Sequence, residues 1–297
     1  MPDFPYFMAN LTSILRGEPT ELKEWFKTSF PNTKQLEKRL VAGSGPLLVD
    51  AATTRTGTVG TAFDVMVRLL VDDGHHPIQV HVTQFWTEKH EAATEELTAA
   101  AQDARRAGDD GRFYRAVWAI ALLTEVTRSM HVWASSQLSA DIYNDEFSVD
   151  AAIGLAPADA VEQLAELRRL AEERLFPVLG GEMHLSPKFC SWGYLKAEAD
   201  IVADGTLVDM KTTLGVQRKA GRVDTISPGS LLQVIGYTLL DFEDEYKIRN
   251  AGIYSSRYGN LAVLPVEELL ELAAGKPMTV QRARDQVASI IGYEPRI

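Results

Sequence analysis

The chain is predicted to be an α/β protein of the α+β kind, with a small mixed β-sheet flanked by helices and enlarged by a long helical segment. Three observations predict it. An Asp204-Gly205 pair stands between two strand-like runs, residues 196–203 and 206–212, which is the strongest short-range signal for a hairpin. Three further short apolar runs, at 183–185, 251–255 and 261–264, lie on either side of a helical stretch at 228–241. Across 84–180 the apolar residues recur at helical spacing.

The elements follow in order. Residues 1–50 form an N-terminal helical segment, with helix expected over 11–40 and interrupted at Gly17-Glu18-Pro19 and at Pro31. No chemistry is visible in it. Residues 51–297 are expected to form one domain that carries the helical elaboration at 84–180. From Gly60 onward, Ala62, Phe63, Met66, Val67 and Leu70 mark the buried stripe of a helix, with Asp64 and Arg68 beside it, and Asp72-Asp73-Gly74 ends it. Residues 78–82 alternate and read as a strand. Helices are expected at 87–107 and 112–140, separated by Gly108-Asp109-Asp110-Gly111. Another is expected at 157–176, with Val161, Leu164, Leu167 and Leu170 inward, ending at Pro177. Helices at 265–273 and 280–291 close the chain.

Composition narrows the function. At 297 residues, with 45% hydrophobic and 24% charged residues, the chain has the make-up of an ordinary globular protein with a sizeable core. A net charge of −11 would repel a polyanion from most of the surface, so any nucleic-acid contact must rely on a local basic strip or on metal ions. The single cysteine, Cys190, excludes an internal disulfide and a cysteine-based zinc site and fits a reducing cytoplasm. The start, Met1-Pro2-Asp3-Phe4-Pro5-Tyr6, has no secretory pattern, and the longest apolar stretch, 116–123, falls short of the roughly 20 residues a membrane span needs. A cytoplasmic protein with no membrane partner is expected.

The hairpin carries the chemistry. A two-residue turn at Asp204-Gly205 pairs Ala203 with Thr206, and counting outward pairs Asp200 with Asp209 and Glu198 with Lys211. Alternation then puts Glu198, Asp200, Asp209 and Lys211 on one face and Ala199, Ile201, Val208 and Met210 on the other. Directly opposed Cβ atoms lie about 5 Å apart, where like charges need compensation. A divalent cation would supply it, and hard oxygen ligands suit Mg²⁺ or Mn²⁺. Lys211 on the same face would hold water or neutralise charge developing on a phosphate. The alternative is an exposed mixed-charge hairpin face, with Lys211 offsetting the carboxylates.

These residues resemble the PD-(D/E)xK nuclease superfamily, and within it the RecB-type and phage-exonuclease-like branch. The pattern of an Asp on one strand and Asp/Glu-x-Lys on the next reads here as Asp200 and Asp209-Met210-Lys211-Thr212. The branch also has Gln and Tyr on one face of the next helix; here Gln233-Val-Ile-Gly-Tyr237 lies about 20 residues past Lys211, and i and i+4 share a face. An upstream Gly-Thr helix start resembles Gly60-Thr61-Ala62-Phe63-Asp64, with Asp64 where many RecB-type members have His. The likeness covers roughly 57–71 and 183–270.

The resemblance implies a restriction-endonuclease-like core that hydrolyses DNA, in preference to RNA, with Mg²⁺ or Mn²⁺. Asp64, Asp200, Asp209 and the Met210 carbonyl would hold the metal, Lys211 would serve the water, and Gln233 and Tyr237 would complete the site. Repair, recombination or phage defence is the expected setting, and the 84–180 helices offer a surface for a protein partner or an oligomer. Two rivals stand beside it: a catalytically inactive nucleic-acid-binding or protein-interaction module on the same fold, and a structural protein whose charged hairpin is incidental. Glu198 is expected to pair with Lys211, and the run Gln217-Arg218-Lys219-Ala220-Gly221-Arg222 is a basic loop. His75, His76 and His81 read as loop or strand residues without ligand geometry. Trp86, Trp118, Trp133 and Trp192 read as core rather than a base-stacking platform.

Overall fold

Asp204 and Gly205 both adopt positive φ, 44° and 70°, and the chain reverses on those two residues alone. That is the backbone a tight hairpin turn demands, and it fixes Ala203 opposite Thr206 as the sequence predicts. The computed structural model describes residues 6, 9–51, 55–77, 86–128 and 136–294. Among them the order is α1 (Leu11–Arg16), α2 (Glu21–Ser29), α3 (Thr33–Leu40), α4 (Thr56–Val71), α5 (Glu88–Ala107), α6 (Asp110–Arg128), α7 (Gln137–Tyr143), α8 (Val149–Gly154) and α9 (Ala158–Arg174). Then come β1 (Met183–Leu185), β2 (Ile201–Ala203), β3 (Thr206–Lys211), β4 (Val216–Arg218), β5 (Gly221–Val223), α10 (Pro228–Leu240), β6 (Asn250–Ser255), β7 (Asn260–Pro265), α11 (Val266–Ala274) and α12 (Val280–Ile291). The protein is mixed α/β, as predicted.

Contacts divide the chain into two compact units, one of Met1–Leu47, Arg174–Lys211 and Gly215–Ile297 and the other of Leu48–Glu173 and Thr212–Leu214. The first holds a five-stranded sheet in the order β1-β2-β3-β6-β7. Only β3 and β6 are parallel, which requires a crossover, and α10 supplies it. From Ser230 to Leu240 every residue of α10 is buried, so the helix shows no polar face to solvent. It packs on β3 and β6 and is surrounded by α1, α3, α11 and α12. Its start is set by Pro228 in the first turn and by Ser227, whose side chain accepts from the Ser230 amide. Gly236 admits Leu11 of α1, because a Cβ there would lie 2.6 Å from the Leu11 Cδ2 atom.

The second unit is helical among its described residues. Ala62, Phe63, Met66 and Val67 are buried on α4 as expected, whereas Leu70 is only half-buried. Arg105 of α5 donates to the Leu69 and Leu70 carbonyls at 2.6 and 3.1 Å, satisfying the end of α4. Trp118 is buried, in keeping with a core role. The strand expected at 78–82, together with His81 and Trp133, lies outside the described residues. The helix expected over 112–140 is described as α6 and, from Gln137, α7. Among the described residues no helix is long and apolar enough to cross a membrane.

Two expectations are corrected. The strand at 196–203 shortens to Ile201–Ala203, because Lys196 bridges to Asn10 and Glu198 to Lys188 instead of extending the hairpin. The basic run at 217–222 is not a loop but a two-stranded ribbon, β4–β5, apart from the main sheet.

Substituting Gly205 tests the turn. A Cβ would lie 2.7 Å from the Lys247 carbonyl oxygen at a φ of 70°, so Gly205→Ala carries both a left-handed penalty and a backbone clash. Denaturant unfolding is expected to show a loss of about 2 kcal/mol; a change of only a few tenths would contradict the turn geometry.

Candidate functional site

The β2–β3 ladder runs outward from the turn through Ile201↔Val208 and stops there. At Asp200 the chain leaves the ladder, and the Asp200 carboxylate takes the place of a main-chain partner: its Oδ2 accepts from the Met210 amide at 2.7 Å. The main-chain carbonyl of Asp200 accepts instead from the Ser186 amide at 3.0 Å. The expected ladder pairings of Asp200 with Asp209 and of Glu198 with Lys211 are therefore not made. A carboxylate that replaces a strand partner is anchored by its own backbone neighbour, which holds Asp200 beside the strand that carries Asp209.

Asp209 sits in the middle of the parallel β3–β6 ladder, opposite Ile253, and its side chain is 1% exposed. A carboxylate buried so deeply needs a cation or several donors. Lys211, two residues along and on the same face, places Nζ 2.5 Å from Asp209 Oδ2. Burial pulls the Lys211 ammonium down, but the fields of Asp209 and Asp200 outweigh it, so the group is held above its ordinary range and stays charged. Arg16 of α1 opposes this as a like charge.

The central helix then closes over the pair. Gln233 Oε1 accepts from Lys211 Nζ at 3.3 Å, and Gln233 Nε2 donates to Tyr237 Oη at 2.6 Å and to Thr12 Oγ1 at 2.8 Å. Gln233 and Tyr237 are one turn apart on the face of α10 toward the sheet, and this network satisfies polar groups that the buried helix could not otherwise carry. Burial first, then the fields of Asp209 and Asp200, push the Tyr237 phenol up, so it remains neutral. Phe189 stacks on its ring with centroids 5.9 Å apart.

Thus Asp200, Asp209, Lys211, Gln233 and Tyr237 come together in the first unit. Met210 lies among them through its backbone. Its amide faces Asp200, and in an extended strand the amide and carbonyl of one residue point to the same edge, whereas the Lys211 carbonyl accepts from Ser256 Oγ at 3.2 Å on the other side. Asp64 belongs to the second unit, where its Oδ2 lies 3.0 Å from the buried Arg68 guanidinium in an i,i+4 pair. Thr12 was not legible from sequence as a site residue, since α1 is a single short helix distant in the chain and nothing local marks its contact with Gln233. Trp192, expected in the core, is half-buried with Lys188 Nζ 4.9 Å and Lys196 Nζ 6.0 Å from its ring.

Among the described residues no group of three or more His, Cys, Asp or Glu is arranged to hold a metal. The donor set at the site is two carboxylates and the Met210 carbonyl, all hard oxygens. It fits Mg²⁺ or Mn²⁺, which are commonly held by one or two carboxylates with water and phosphate oxygens filling the remaining positions. Each carboxylate has lone pairs beyond the one engaged by Met210 or Lys211. The chain matches no protein-family profile, and no curated protein is significantly similar to it in sequence.

The ion pair makes a stability prediction. Lys211→Met removes the ammonium that meets the buried Asp209 carboxylate and is expected to destabilise the fold by about 3 kcal/mol. Adding Asp209→Asn should recover part of that loss, so a double-mutant cycle followed by denaturant unfolding should give clear coupling; additive changes would show that the two groups do not depend on each other.

Proposed function

We propose that this protein is a metal-dependent nuclease of the PD-(D/E)xK type, built on a restriction-endonuclease-like core and hydrolysing DNA phosphodiester bonds. The observation that carries the reading is the convergence of Asp200, Asp209, Lys211, Gln233 and Tyr237 in one hydrogen-bonded cluster. The small mixed sheet, antiparallel through β1-β2-β3 with β6 parallel to β3 and helices packed on it, is of the kind the resemblance implies and supports the reading further.

Asp200, Asp209 and the Met210 carbonyl would hold Mg²⁺ or Mn²⁺. Bound there, the cation supplies positive charge against the phosphodiester and acidity for the attacking water. Lys211 Nζ, steered by Gln233, donates to that water or to the phosphate oxygen on which charge develops. The neutral Tyr237 phenol holds the Gln233 amide, and through it the direction of the ammonium. Water oxygen adds to phosphorus, and the sugar oxygen leaves with a proton, giving a monoester and an alcohol.

A second reading, a binding module that has lost catalysis, is favoured by one feature: Asp209 is already neutralised by Lys211. The same experiment separates the two. Linear and circular DNA incubated with Mn²⁺ or Mg²⁺ should be cut by the wild-type protein, not in the presence of a chelator, and at least 10²-fold more slowly by Lys211→Ala, the order of loss expected for a charge-stabilising donor. Binding without any metal-dependent cutting would sink the enzyme reading and leave the module.

A further inference from the structure

The chain carries a net charge of −11, and many of its cations are committed to neighbours: Arg168, Arg169, Arg249 and Arg284 each meet two carboxylates or sit in carboxylate networks. The β4–β5 ribbon is different. Its eight residues from Val216 to Val223 include Arg218, Lys219 and Arg222 and no acid, and none of these cations has a carboxylate at ion-pair distance among the described residues. Three uncompensated positive charges in eight residues of an acidic protein are a site where an anion would be attracted.

The ribbon also has a fixed root and an open tip. Gly215 packs so closely under Val223 and the Tyr258 hydroxyl that a Cβ would overlap both. Asp224, buried, accepts from Ser44 Oγ at 2.6 Å, and the Ile226 amide donates to Glu37 at 3.2 Å. Tyr258 follows β6, whose last residue Ser255 lies opposite Lys211. The ribbon therefore rises from the end of the sheet that carries Lys211, within the same unit. Arg222 pairs with Gln217 and Arg218 with Gly221, one register step apart, so the two guanidinium groups leave opposite faces while Lys219 stands in the turn.

We propose that the β4–β5 ribbon enters the major groove of duplex DNA and holds the phosphates on either side with Arg218, Lys219 and Arg222, bringing the backbone to Lys211. This rests on the nuclease reading above. A two-stranded ribbon fits a groove about 12 Å wide, and cations on both faces meet the two phosphate walls. The ribbon carries no aromatic ring, so it lacks the stacking surface by which single strands are held.

The test uses the full chain and a fluorescent duplex, with affinity measured from about 50 to about 200 mM salt. The R218S/K219S/R222S variant is expected to flatten the slope of log affinity against log salt by about 2.7, which is about 0.9 for each lost phosphate contact. The charge-keeping R218K/R222K variant should retain the wild-type slope, and Mn²⁺-dependent hydrolysis of bis(p-nitrophenyl) phosphate should be the same in all three proteins. An unchanged slope in the triple variant, a slope lost equally in R218K/R222K, tighter binding to the single strand than to the duplex, or a wild-type protein that does not bind the duplex would each overturn the ribbon proposal. A flattened slope with no hydrolysis of either substrate by the wild type would support the ribbon and defeat the nuclease reading.

Discussion

Two carboxylates and one ammonium are held together around strand β3, and the local structure is arranged around that charge set. Asp209 is almost wholly removed from water, and Lys211 meets it on the same strand face with an ammonium 2.5 Å from its carboxylate. Asp200 adds a second negative charge but is anchored by the Met210 amide, the partner β2 gives up when it leaves the ladder. The departure of β2 is thus what opens the edge of β3, and the carboxylate that closes the gap is the one the proposed chemistry needs.

The rest of the first unit supports this arrangement from a distance. A central helix buried on all sides would ordinarily be apolar throughout, yet α10 carries Gln233 and Tyr237, whose hydrogen bonds run to Lys211 below and to Thr12 of α1 above. Leu11 against Gly236 brings α1 close enough for that last bond. The lysine is therefore oriented by residues from three separate stretches of chain, which gives the ammonium a defined direction rather than the freedom of a surface lysine.

Much of this was legible in the sequence because it is local. The Asp204-Gly205 turn forces the register of its own hairpin, and the i,i+4 spacing of Gln233 and Tyr237 puts both on one helix face before any tertiary contact is known. What was not legible depends on competition between distant partners. Lys196 and Glu198 alternate like strand residues, but Asn10 and Lys188 offer them other bridges, so the hairpin is shorter than alternation suggests. Alternation faces Lys211 toward Glu198, yet it turns to Asp209, because a neighbour two residues away on a formed strand is closer than one on a strand that has diverged. Thr12 gave no signal, since a single threonine on a short helix acquires its role only from what packs on it. The basic run became a ribbon because Gly215 and Gly221, at φ of 64° and 121°, turn the chain where a bare charge count sees only solvated residues.

Mn²⁺ binding measured by electron paramagnetic resonance tests the shared-carboxylate claim most directly. The wild-type protein should bind the ion without DNA present, and Asp209→Asn, folded by circular dichroism, should bind it far more weakly. Equal binding by the two proteins, or none by the wild type, would contradict the claim that Asp200 and Asp209 together form a cation site.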